Sequence, residues 1–223
     1  MPEIKLFSAR ACPYAHRTRL VLSHKQLPFE LVEIDLQNKP AWFDSKVSGY
    51  GKVPALQHGD VYLWESAIVN EYLDEVFPEP ALLPREPVAR ARARIWVDYA
   101  NTRFATSFGA LLRASVQADL DKHRKELTGV LDYIEHAGLA QLSGDGPFFL
   151  GREPSLVDYA FYPWIERWPG LEHHRKLALP PEHTRLARWH AAVRELPAVR
   201  EHENPASFYI ERYARIAAPT KAA

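Results

Sequence analysis

The chain has one cysteine, Cys12, in 223 residues, which excludes any intramolecular disulfide. No apolar run approaches the roughly 18 residues that a membrane-crossing helix needs. The N-terminus lacks the pattern of a cleaved secretory signal. A chain without disulfides, spans or signal is expected to work in the cytoplasm, away from a membrane. Charge of one sign is not in excess either, since 28 Lys and Arg face 28 Asp and Glu. A nucleic-acid footprint needs clustered basic residues. Arg85, Arg90, Arg92 and Arg94 form a local basic group, which reads as a solvated helix face, so no nucleic-acid partner is expected. No internal repeat, low-complexity tract, metal site or resident cofactor is expected.

At this length about 70% of the unfolded chain's surface can be buried, so the fold does not need a staple, and the lone thiol is free for chemistry. It lies in the run Ala11-Cys12-Pro13-Tyr14-Ala15-His16-Arg17, just after an apolar strand-like segment. Proline is tolerated at the first position of a helix, because the N–H it lacks would have no intrahelical partner there. Cys12 then falls at the N-cap, where free N–H groups and the positive end of the helix dipole favour an anion. Cysteines in such places have pKa values lowered from about 8.5 to roughly 3.5–7.5, and the thiolate is the reactive form. The competing reading is a small buried hydrophobe, which is what most lone cysteines are. His16 could serve as a base for Cys12, but no residue to orient it is evident and the dipole already favours the anion.

With no second protein thiol, a mixed disulfide or sulfenic acid on Cys12 must be resolved from outside. A small-molecule thiol cosubstrate follows. Glutathione is the abundant candidate, a tripeptide carrying one ammonium and two carboxylates.

Ile4 to Phe7 and Phe29 to Ile34 are short apolar runs flanking a segment whose apolar face recurs at Tyr14, Thr18, Val21 and Leu22, a β-α-β pattern. Ala55 to Gln57 and Val61 to Trp64 are separated by Gly59-Asp60, which marks an antiparallel hairpin. A helix follows from Glu65 or Ser66, with Ser66 suited to the N-cap and Pro78 ending it. The order β-α-β-β-β-α with a mixed sheet describes an α+β, thioredoxin-like N-terminal domain over residues 1–77. Residues 78–87 contain four prolines, which bar helix and central strand, and read as a linker. Residues 88–223 are helical in pattern, an all-α C-terminal domain. Its predicted helices run from Val88 to Val116, Ala118 to Ala140, Leu156 to Trp168, Thr184 to Glu195 and Ala206 to Ile216. Ser155 and Asp158 form a variant capping box after Pro154. The helix they open is rich in aromatics, from Tyr159 to Trp168.

A thioredoxin-like half with Cys-Pro at its first helix, a Pro-rich linker, an all-helical half and the Ser-x-x-Asp box together resemble the cytosolic glutathione transferase family. The resemblance covers nearly the whole chain. Cys12 to Leu22, Asn38 to Phe43, Gly51-Lys52-Val53-Pro54, Glu65-Ser66 and Tyr162 to Arg167 look most like its omega class, whose catalytic residue is a cysteine where other classes use tyrosine or serine. The resemblance implies glutathione-dependent thiol transfer and dehydroascorbate reduction, a homodimer, and a small oxidised or electrophilic second substrate.

It also implies roles for particular residues. Cys12 is the nucleophile. Val53, before a cis Pro54, presents its backbone to the cysteinyl part of glutathione; a cis bond costs under about 1 kcal/mol before proline and several elsewhere. Glu65 offers a carboxylate to the γ-glutamyl ammonium, and Ser66 and nearby N–H groups receive the γ-glutamyl carboxylate. Lys39, or more weakly Lys52, meets the glycyl carboxylate. Tyr14 and Trp164 are implied for the second-substrate pocket, with Tyr14 standing where mammalian members have phenylalanine. Two other readings are a non-catalytic regulatory binding protein and a conventional conjugating transferase or isomerase. Cys12 speaks against both.

Overall fold

The computed structural model describes residues 3–218, so the outermost ends of the two predicted domains lie outside the described residues. These residues fall into two compact units, divided between Arg85 and Glu86, with Pro197–His202 returning to the first.

The first unit holds β1 (Ile4–Ser8), α1 (Pro13–His24), β2 (Glu30–Glu33), α2 (Ala41–Lys46), β3 (Ala55–His58), β4 (Val61–Trp64) and α3 (Ser66–Val76). The sheet order is β2-β1-β3-β4. β1 and β2 are parallel, as a crossover helix requires, and the other two pairings are antiparallel. The hairpin turns at Gly59, whose φ of +61° a residue with a side chain rarely adopts. The expected β-α-β-β-β-α order is present, with one addition. Helix α2 had no signal in the sequence because Pro40 opens it and it spans only 6 residues, too short to display a 3.6-residue period.

Helix α1 also differs from its predicted one-sided face. Every residue from Ala15 to Leu22 is buried, including His16, Arg17 and Arg19, whereas Tyr14 is 39% exposed. The reason is tertiary. Helix α1 packs against β1, against α3, and against a short helix that the sequence reading missed, Pro197–His202. There Ser23 Oγ lies 2.7 Å from His202 Nε2. The Pro-rich stretch is anchored as well. Lys25 Nζ, its side chain fully buried, meets Asp74 Oδ1 at 2.8 Å and donates to the carbonyls of Phe77 and Pro80, both at 2.7 Å. Asp74 accepts from the Leu82 and Leu83 amides at 2.8 and 3.0 Å.

The second unit contains α4 (Pro87–Tyr99), α5 (Ala105–Arg113), α6 (Gln117–Tyr133), α7 (Ala140–Leu142), α8 (Leu156–Glu166), α9 (Trp168–Arg175) and α10 (Thr184–Arg194). After α11, the Pro197–His202 helix of the first unit, α12 (Ala206–Ala217) completes it. The long predicted helices are interrupted by π-helical stretches at Ala100–Phe104 and Ile134–Leu139. The predicted helix from Leu156 to Trp168 stops at Glu166, and α9 restarts with Pro169 in its first turn. Phe149 and Phe161 stack at 5.0 Å in the core. The capping box at α8 forms as expected, with Ser155 Oγ accepting from Val157 and Asp158 accepting from the Ser155 amide. Asp158 does more than cap, because its other oxygen accepts from the Phe149 amide at 2.8 Å and Trp189 Nε1 at 2.7 Å. Complete burial pushes its carboxyl above the usual range, against those hydrogen bonds.

Candidate active site

Cys12 is the N-cap of α1, with Pro13 at the first helical position. Its amide donates to Ala9 O at 2.9 Å and its carbonyl accepts from His16 N at 3.0 Å, so the backbone is held on both sides of the sulfur. The side chain is half-buried and does not cap its own helix. Its thiol instead lies 3.7 Å from the Val53 carbonyl, to which it can donate, and packs on the cluster containing Phe7, Ala15 and Val53. The Val53–Pro54 bond is cis. An anion at this sulfur would face the positive end of the α1 dipole.

Arg17 is a neighbour that the sequence reading passed over. Its side chain is enclosed, 1% exposed, with the guanidinium 5.1 Å from the Tyr14 ring centroid. Burial pulls Arg17 down to about 9, opposed by the electrostatic influence of Tyr14 and Cys12. An arginine normally reads as surface. The available signal was its place on a crossover helix, within the Cys-Pro run.

The residues implied for glutathione fall on two loops and a helix start of the same unit. Lys39 Nζ donates to Gly51 O at 2.9 Å and lies 3.5 Å from Asp44 Oδ1. Lys52 is exposed, and its ammonium stands 5.2 Å over the Tyr50 ring rather than beside Lys39's partners. Glu65, not Ser66, is the N-cap of α3, with φ +67° and ψ 106°. Ser66 is the first helical residue and is buried. The chain makes its turn out of β4 at Glu65, which moves the helix start one position earlier than the preference of serine for caps suggested. The Tyr50 hydroxyl donates to Glu65 Oε1.

Tyr14 belongs to the first unit and Trp164 to the second. Trp164 lies on α8 and is 3% exposed. In the same run Arg167 donates to Pro163 O and lies 4.7 Å from the Tyr209 ring, and Tyr209 donates to Glu166. Among the described residues no group of three or more His, Cys, Asp or Glu is placed to hold a metal ion. No helix among them is long and apolar enough to cross a membrane.

A thioredoxin-like unit with cysteine at its first helix N-cap, and an all-helical unit after it, define a class of two-domain proteins. Comparison with known proteins narrows it. Residues 6–81 match the model for the glutathione S-transferase N-terminal domain, and residues 89–192 match that for the C-terminal domain. The chain is 33% identical over 210 residues to glutathione S-transferase omega-1 of Mus musculus, covering 94% of this chain and 84% of that protein. Among solved structures, glutathione transferase Omega 3C from Trametes versicolor superposes with a TM-score of 0.85 at 27% identity, over 97% of this chain and 91% of that one. Dehydroascorbate reductase of Chlamydomonas reinhardtii superposes with a TM-score of 0.79 at 25% identity, over 96% and 98% of the two chains. The chain belongs to the glutathione S-transferase family, whose substrate is glutathione, and its relatives include the omega class.

Proposed function

We propose that this chain is an omega-type glutathione-dependent thiol transferase and dehydroascorbate reductase with Cys12 as its nucleophile. The observation that carries the reading is the half-buried thiol at the α1 N-cap, 3.7 Å from the Val53 carbonyl, in a chain whose relatives include omega-class transferases. In the proposed exchange the Cys12 thiolate attacks the glutathionyl sulfur of a mixed disulfide. The Cys12–glutathione S–S bond forms as the old one breaks, and the substrate leaves as a thiolate that takes up a proton. A second glutathione thiolate then attacks the glutathionyl sulfur on Cys12, releasing glutathione disulfide and regenerating the Cys12 thiolate. With dehydroascorbate, two glutathiones supply two electrons and two protons and end as the disulfide.

In this reading the Val53 backbone, ahead of Pro54, pairs with the cysteinyl part of glutathione. Glu65 takes the γ-glutamyl ammonium, and Ser66 with the α3 N-terminus takes its carboxylate. Lys39, whose ammonium is already gathered with Gly51 and Asp44, is the first choice for the glycyl carboxylate. Lys52, held over Tyr50, is the second. Tyr14, two residues after Cys12 and 39% exposed, meets the second substrate. The protein acts in the cytoplasm as a homodimer.

The test is glutathione-linked reduction of hydroxyethyl disulfide by the wild type and Cys12→Ala, with mass spectrometry of the wild type after glutathione disulfide treatment. Exchange that depends on Cys12, with a glutathionyl adduct on that residue, supports the reading. Wild-type rates in the variant would overturn it.

A further inference from the structure

Tyr50 sits at the centre of a turn built to aim it. Ser48 Oγ donates to Lys52 O at 2.7 Å and accepts from the Lys52 amide at 2.9 Å, closing the turn from both ends. The flanking glycines have φ of +63° at Gly49 and +70° at Gly51, where a side chain is strained. Both are also crowded. A Cβ on Gly49 would lie 3.2 Å from the Trp64 ring, and one on Gly51 would lie 2.3 Å from Asp44 Oδ1 and 2.7 Å from Lys39 Nζ. The turn therefore seats Tyr50 edge-on against Trp64, with centroids 6.1 Å apart and planes at 87°, and its hydroxyl donates to Glu65.

We propose that Tyr50 is a positioning residue of the γ-glutamyl subsite, holding the Glu65 carboxylate where it meets the α-ammonium of the thiol cosubstrate. This rests on the glutathione-site reading above and adds the device that selects γ-glutamyl thiols carrying a free α-ammonium. Glu65 and Tyr50 are both exposed, and a hydrogen bond between exposed side chains adds little to folding. Its effect is pre-organisation. A glutamate on the surface has many rotamers to lose on binding a cation, and a neighbour with only two side-chain torsions removes that loss beforehand. The phenol is a neutral donor, so the carboxylate keeps its charge for the ligand. The nearby cation that could neutralise it, Lys52, is instead held over the Tyr50 ring at 5.2 Å.

The experiment compares wild type, Tyr50→Phe and Glu65→Gln with two thiols: glutathione, and glutaryl-cysteinylglycine, which keeps both carboxylates but lacks the ammonium. The expected result for Tyr50→Phe is a KM for glutathione raised by about three- to tenfold with kcat nearly unchanged, the size of effect that losing one ordinary, solvent-exposed hydrogen bond gives. With the glutaryl thiol, KM should be the same for all three proteins. A Tyr50→Phe enzyme with wild-type KM for glutathione, while Glu65→Gln raises it, would overturn the role of Tyr50 and leave the glutathione site standing. Equal increases for both thiols would overturn it too, as general damage to the loop. If Glu65→Gln itself leaves the KM for glutathione unchanged, the site reading fails and the Tyr50 proposal with it.

Discussion

Cys12 Sγ and the Val53 carbonyl oxygen are 3.7 Å apart although 41 positions separate the residues. The sheet order explains the approach. β1 and β3 are hydrogen-bonded neighbours with Phe7 paired to Ala55, so the turn after β1 and the segment before β3 emerge side by side. The helix N-cap and the peptide ahead of the cis proline therefore meet at this sulfur.

If that sulfur is the nucleophile, Cys12→Ala should lose glutathione-linked disulfide exchange. Its stability should change by only about 1 kcal/mol, since a half-buried thiol contributes little packing. Cys12→Ser should gain conjugating activity toward an electrophile such as chlorodinitrobenzene, because a hydroxyl can hydrogen-bond the thiolate of glutathione without forming a disulfide with it. Assaying both reactions in both variants checks this, and retained exchange in Cys12→Ser would refute it.

The Lys25–Asp74 pair offers a stability test. Lys25→Met leaves the Asp74 carboxylate buried without its cation and removes the donors to Phe77 O and Pro80 O. Breaking one partner of such a pair costs about 3–5 kcal/mol, to be read from urea unfolding. A loss below about 1 kcal/mol would mean that the 77–83 segment is not held in this way.

His190 should make the fold sensitive to acid. Burial, assisted by Arg194 and opposed by Glu203, pulls this imidazole down to about 4, beside the Tyr162 ring at 6.1 Å. The unfolded chain binds the proton near 6.5, so between about pH 6.5 and 4 the unfolded state carries more protons, and stability rises with pH. The contribution is complete above that window and is lost as pH falls through it, to the extent of about 2 kcal/mol once partial exposure is allowed for. His202, also lowered by burial, adds in the same direction. Unfolding free energies at pH 7 and pH 5 should differ less in His190→Gln than in the wild type; equal differences would dismiss the assignment.

Local chemistry alone was enough to place the strand, Cys-Pro and helix order, the hairpin at Gly59 and the capping box of Ser155 and Asp158, whereas the candidate glutathione residues came only from the resemblance to a family. Each of the local features depends on neighbours within a few positions, where backbone sterics and hydrogen-bonding needs act directly. What required the fold was every pairing across distance. The sulfur faces Val53 because β1 and β3 adjoin, and α1 is buried from Ala15 to Leu22 in a unit where β1, α3 and α11 pack against it. Tyr50 reaches Glu65 only because its turn folds onto Trp64. Propensity is a property of a segment, but burial and approach belong to the packed molecule, so an arginine that reads as surface in the sequence, Arg17, ends up enclosed once the chain packs.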